Sequence, residues 1–267
     1  MSGENLLGEF LKARRGRIQP DGTGVPRRRR VPGLRRGELA RLAGVSEPYL
    51  TRLEQGTDRN PSAQVLHALA LALRLDRDET EHLYALADPP VAAGSGSGSA
   101  SVDIQRLLDS WSATPAYVRD RRFDVLAANP LAMALSPMYT AGRNLVRDVF
   151  LDREVRALFP DWAEVATQTA AALRAEADLR DPATAELVTA MLSDREFRGL
   201  WEHHDVRPTR DELKRFAHPS VGLLTLRRQS LSIAGAEHQV IITYQPASPV
   251  DQGSLTELKR SIDRKLP

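Results

Sequence analysis

Residues 35–54, RRGELARLAGVSEPYLTRLE, would read as one continuous helix were it not for Gly44. Leu39, Ala40, Leu42 and Ala43 lie before the glycine and Leu50 and Leu53 after it, so two short amphipathic helices meet there. A helix-turn-helix needs a sharp turn between two helices that cross steeply. Gly44 supplies the turn, because glycine enters the left-handed backbone region without a Cβ clash. Ala40, four residues earlier, is small enough to let the helices approach closely. Val45, Leu50 and Leu53 form the apolar side of the second helix, and Ser46 can cap it. Pro48 is tolerated in the first turn, where backbone donors have no intrahelical partner. The combination predicts a DNA-binding unit rather than a generic helical hairpin.

On the N-terminal side, Asn5 can cap a helix running to about Arg15, with Leu6, Leu7, Phe10 and Leu11 as its stripe. Residues 16–34 hold three prolines and four glycines and read as irregular. On the C-terminal side, the loop GTDRNP precedes a helix from Ser62 to about Leu73 that buries Val65, Leu66, Leu69 and Ala70. A last helix, Asp78 to Ala87, buries Leu83, Tyr84 and Leu86. Five short helices make a small all-α domain.

The chain of 267 residues is long enough for two such domains with real cores. Its 42% hydrophobic and 27% charged content is that of a soluble globular protein. No apolar run approaches the ~18 residues of a membrane span, and MSGENLLGEF has no basic-then-apolar leader pattern. Zero cysteines exclude disulfides and thiolate zinc sites and fit a cytoplasmic protein. Residues 1–60 carry 13 Lys+Arg against 7 Asp+Glu, whereas the remainder carries 24 against 28. That asymmetry points to an anionic partner, nucleic acid foremost, for the N-terminal part.

GSGSGSAS, residues 94–101, reads as a flexible linker, and the prolines of ADPPV stop the preceding helix. No strand leads into its glycines and no Gly-Lys-Ser/Thr follows, so it is no phosphate loop. The expected division is a DNA-binding domain over residues 1–93, a linker over 94–102 and a second domain over 103–267. In the latter, AYVRDRRFDVLAAN suggests strands at Ala116–Val118 and Phe123–Ala127. Helical patterns fill about 129–204, including DWAEVATQTAAALRAEADLR. KRFAHP, VGLLTLRRQ, SLSIAG and HQVIITYQP then read as strand material, and a polar helix should cover about Ser254 to Arg264. Leucines fall on both faces of LLTLRR, which leaves that strand's faces unassigned. The order argues for an α+β domain on an antiparallel sheet.

LGEFLKARRGR, VPGLRRGELARLAGVSEPYLTRLEQG and PSAQVLHALALALRLDRDETEHLYALA together resemble the XRE-type helix-turn-helix domain of the MmyB-like bacterial regulators. PAYVRDRRFDVLAANPLA, NLVRDVFLD, DWAEVA, the Phe197/Leu200/Trp201/His204 cluster and KRFAHPSVGLLTL resemble the ligand-binding domain of the same family. The resemblance implies a lambda-repressor-like five-helix fold followed by a PAS-like sensory domain. It also implies a small apolar, fatty-acid-like effector.

The recognition helix should enter the major groove by its N-terminal half. Glu47, Pro48, Thr51 and Arg52 lie opposite its apolar side, beside Ser46. Arg52 is the first choice for reading a guanine, Glu47 for a cytosine amine and Thr51 for a thymine methyl. Tyr49 is read either as a phosphate contact or as a packing aromatic. Arg35 and Arg36 would sit beside the DNA backbone. Arg27, Arg28, Arg29 and Arg30, between Pro26 and Pro32, read as an extended arm along phosphates or in the minor groove, the alternative being a solvated loop. One such motif covers little DNA, so a homodimer on two half-sites is expected.

Candidate ligand-binding residues are Tyr117, Phe123, Val125, Leu131, Met133, Phe150, Trp162 and Trp201, each of which has core filling as its alternative. Asn129 joins them or caps the helix that follows, and His204 is a buried hydrogen-bonding partner or an anchor for an acidic head group. His203, His204, Asp205 and His218 lack the spacing of a metal set, and no catalytic motif is present. No metal, cofactor or enzymatic activity is expected. The reading is a one-component transcription regulator. A second domain that binds a protein partner, or a DNA-targeted oxidoreductase, are the competing classes.

Overall fold

The computed structural model describes residues 5–18, 33–58, 60–87, 100–179, 181–206, 212–236 and 238–264. The chain divides into two units, residues 1–95 with 202–207, and 96–201 with 208–267. The first contains five helices: α1 (Leu6–Arg17), α2 (Arg36–Leu42), α3 (Glu47–Gln55), α4 (Ala63–Ala72) and α5 (Arg77–Ala87). Their starts are set by side-chain caps. Asn5 Oδ1 accepts from the Gly8 N–H at 3.2 Å, Ser46 Oγ from Tyr49 at 3.2 Å and Ser62 Oγ from Val65 at 3.4 Å. Gly44 turns the chain between α2 and α3 at φ +65°, as its residue type demands. Phe10, Leu11, Leu39, Leu50, Leu53, Leu69 and Leu83 are buried and hold the five helices together. At roughly 1.5–3 kcal/mol for each buried Leu or Phe, this stripe of apolar side chains dominates the unit's stability.

The second unit is the expected α+β domain. Its sheet comprises β1 (Ala116–Asp120), β2 (Val125–Ala128), β3 (Glu212–His218), β4 (Gly222–Ser232) and β5 (Gln239–Pro246). The strand order is β2-β1-β5-β4-β3 and every neighbouring pair is antiparallel. Tyr117, Leu224, Leu226, Ile242, Tyr244 and Phe216 share one face and one core with the helices. These are α7 (Pro130–Leu135), α8 (Leu145–Leu151), α9 (Arg153–Leu158), α10 (Trp162–Glu176), α11 (Pro182–Met191), α12 (Arg195–Glu202) and α13 (Pro249–Asp263).

Four elements depart from the sequence-based expectation. A further helix, α6 (Val102–Ser110), is capped by Ser101 Oγ, which accepts from Ile104 at 3.3 Å. Its Leu108 covers the opposite sheet face at Ala116, Val118, Ala127 and Ile241. VGLLTLRRQ and the first residues of SLSIAG form the single strand β4, because Ser230 pairs with Ile242 and Leu231 with Ile241 in β5 without interruption. Phe123 leaves β2 for the turn before it, at φ +69°. The last helix starts at Pro249 rather than near 254, since Ser248 Oγ already caps it by accepting from Asp251.

Candidate functional site

On α3, Ser46, Glu47, Pro48 and Arg52 are exposed, while Leu50 and Leu53 face the core. The face expected to read bases is therefore turned outward. The Arg52 guanidinium carbon lies 5.5 Å from the centre of the Tyr49 ring, a spacing that supports a cation–π contact. Burial and the nearby Asp58 charge push the Tyr49 phenol upward, so it stays a neutral donor. Thr51 Oγ1 donates to the Glu47 carbonyl at 2.9 Å. The Glu47 carboxylate lies over Gly37 in the first turn of α2, where a methyl group would stand 2.8 Å from Oε2. Arg35 is exposed, and its N–H donates to Glu38 Oε2 at 2.7 Å. Arg27 to Arg30 lie outside the described residues.

Arg36 is engaged elsewhere: its Nε donates to Glu54 Oε2 at 2.6 Å. The same carboxylate accepts from Arg15 Nε at 2.7 Å and Nη2 at 3.1 Å, and Glu54 is 0% exposed. Glu54 also accepts from Asn5 Nδ2 through its carbonyl, at 2.9 Å. Helices α1, α2 and α3 thus meet on one buried carboxylate. Sequence reasoning missed it because a glutamate after Leu53 resembles an ordinary solvated helix face.

In the second unit Tyr117, Phe123, Val125, Leu131 and Phe150 belong to one core, with Trp162 and Trp201 packed against it. Phe150 meets Trp162 edge-on at 6.1 Å and Phe197 at 5.2 Å, and Phe197 stacks on Trp201 at 5.4 Å. Arg156 lies 3.6 Å over Trp162 and Arg174 3.9 Å over Trp201. The Trp162 indole donates to the Val149 carbonyl at 2.8 Å. Met133 stands apart from this group, 38% exposed.

Asn129 has a structural task. Its Oδ1 accepts from Ala132 at 2.9 Å and Ala116 at 3.1 Å. Its Nδ2 donates to the carbonyls of Leu108, Trp111 and Thr114. One buried amide thereby ties α6, β1 and α7 together, which leaves no capacity for an effector. His204 groups with the first unit, at φ +53°, and its carbonyl accepts from Arg14 at 2.6 Å. His218 Nδ1 accepts from Ser220 and its Nε2 lies 3.0 Å from the Ala134 carbonyl.

Three buried tyrosines were only partly anticipated. Tyr117 stacks on Tyr139 at 4.5 Å, and the Tyr139 and Tyr244 hydroxyls are 2.9 Å apart. Burial raises all three phenols well above their ordinary range. Lys214, also buried, went unnoticed; its period-2 spacing to Phe216 and His218 in KRFAH is the signal that places it on the inner face. Among the described residues no group of three or more His, Asp or Glu is placed to hold a metal, and no helix is long and apolar enough to cross a membrane.

Residues 6–83 match a helix-turn-helix domain family. Residues 100–258 match the family described as MmyB-like transcription regulator ligand binding domain. No curated protein matches the chain in sequence.

Proposed function

Because the chain belongs to the MmyB-like transcription regulators, with a DNA-binding helix-turn-helix domain and a ligand-binding domain, we propose that its effector is a small apolar, fatty-acid-like molecule. The observation that carries this reading is the run of rings Trp162, Phe150, Phe197 and Trp201 in the core of the ligand-binding domain. A cluster of aromatic side chains is the kind of surroundings that suits hydrocarbon, with few polar groups needed to fix its orientation. Tyr117, Phe123, Val125 and Leu131 belong to the same core and complete the proposed binding set.

On the DNA side, Arg52 reads a base, with Ser46, Glu47, Pro48, Tyr49 and Thr51 around it, and Arg35 and the arm Arg27–Arg30 hold phosphates. The protein acts as a homodimer on a two-half-site operator, in the cytoplasm at the nucleoid, by binding alone and without catalysis. The test is organic extraction of the purified full chain followed by mass spectrometry, paired with operator titration before and after extraction. A released long-chain apolar molecule whose removal changes operator affinity supports the reading. A chain that releases nothing and whose operator affinity ignores added lipid overturns it.

A further inference from the structure

Tyr49 stands in the first turn of α3, and its neighbours set its place there. Ser46 Oγ accepts from the Tyr49 N–H at 3.2 Å, and Pro48 precedes it within the same turn. Residues three apart on a helix are surface neighbours, so Tyr49 and Arg52 share one edge of α3. Every Cα–Cβ bond of a helix tilts toward its N-terminus, which carries the Arg52 side chain back over the turn that holds Tyr49. The guanidinium carbon accordingly lies 5.5 Å from the ring centre, the ring partly buried and the guanidinium exposed. Burial and the Asp58 charge raise the Tyr49 phenol while the Arg52 charge opposes them, as expected of a cation held beside it. Arg15 and Arg36 are fixed differently, by the Glu54 carboxylate that neutralises them. A neutral ring can fix Arg52 and leave its charge and its in-plane donors for DNA.

We propose that Tyr49 is a positioning residue for base reading: its ring face presents the Arg52 guanidinium to the major groove, and its hydroxyl takes no part. The assignment rests on the reading that Arg52 meets a base. It gives Tyr49 a role distinct from both a phosphate contact and a packing aromatic. A guanine offers O6 and N7 side by side, and a guanidinium meets both only when its plane is correctly turned. An arginine that swings freely loses rotamer freedom when DNA fixes that plane, whereas one already resting on a ring loses less. The difference favours the base that needs the two-donor edge over bases that do not. The ring therefore adds to discrimination and not to affinity alone.

The test uses the full chain and a duplex that it selects from a random-sequence pool, titrated alongside single-base variants of that duplex. Arg52→Ala first locates the base pair at which discrimination depends on Arg52. Tyr49→Leu should lower discrimination at that same base pair by about two- to thirtyfold, the range from exposed to desolvated cation–π contacts. Tyr49→Phe should restore it, because the ring face is kept and only the hydroxyl is lost. In the Arg52→Ala background Tyr49→Leu should change discrimination no further, since the two residues act as one unit. Thermal unfolding of each variant separates these effects from lost folding. If Tyr49→Leu does not fold, the Arg52 Nε–H proton resonance of the unaltered chain decides: the ring current should displace it from that of free arginine. Undiminished discrimination in Tyr49→Leu, or an equal loss in Tyr49→Phe, overturns the positioning role while leaving Arg52 as the reader. So does a Tyr49→Leu loss that persists without Arg52 or falls alike on every duplex, and so does an undisplaced resonance. If Arg52→Ala weakens every duplex alike, the base reading falls and takes this role with it.

Discussion

Glu54 joins three helices through one carboxylate, and its removal leaves Arg15 and Arg36 facing each other. Breaking a buried ion pair from one side usually costs about 3–5 kcal/mol. The Arg36 side chain is 41% exposed and can turn to water, so Glu54→Ala should fall at the low end, about 3 kcal/mol, measured by urea unfolding. Arg52→Ala should do the opposite, leaving stability unchanged. It should weaken operator binding by about 1–3 kcal/mol and relax discrimination at one base pair, read by competition with single-base operator variants. Equal loss on all sequences would make Arg52 a phosphate contact. Lys214 sets a pH signature on stability. Its folded pKa of about 7 lies below the unfolded 10.5, so between those values the unfolded chain binds more protons and stability rises with pH. The gain should be on the order of 1 kcal/mol per pH unit between pH 7.5 and 9.5, and it should vanish in Lys214→Met. The rise should stop near pH 10, where the buried tyrosines, held above their unfolded values, begin to favour the unfolded chain.

The two glycines that bracket α3 make separable predictions about the reading element. Gly44 and Gly56 both have positive φ, +65° and +75°. A methyl group on Gly44 would meet nothing within 4 Å, whereas one on Gly56 would stand 2.7 Å from the Asn5 side chain. Gly44→Ala should therefore cost only the left-handed strain, about 1 kcal/mol. Gly56→Ala should cost more, because it also displaces the cap of α1; thermal unfolding of the two variants would rank them. Gly44 and the caps Asn5 and Ser46 were legible because each acts on its own neighbours in sequence. Helix α6 was not, since its cap Ser101 closes a Gly/Ser run and looks like more linker. Phe123 reads as a strand residue by type, yet the turn holds it at φ +69°. The ion pairs of Glu212 with Lys214 and Arg228 were invisible because these residues come together only through the register of β3 and β4, and leucines on both faces of β4 hide which side is inner.

For the molecule as a whole, the reading of a dimer that answers to a ligand makes residues 1–93 alone a weak operator binder with no effector response, testable by titration against the full chain. Binding as tight as the full chain's would remove dimerisation from the account. Replacing Arg27 to Arg30 by alanine should weaken binding to every sequence and flatten its salt dependence; an unchanged slope would leave those arginines as a solvated loop. The sheet adds a matter of timing. Its central pairing joins Ala116 to Thr243, so the strand that completes the middle of the sheet is among the last segments made. The five helices of the first unit lie within residues 5–87, and residues 202–207 join that unit later. Ribosomes add about 5–20 residues per second, so roughly 170 further residues take on the order of ten seconds or more. For that interval every newborn chain carries its DNA-facing helices while the sheet of its ligand-binding domain does not yet exist.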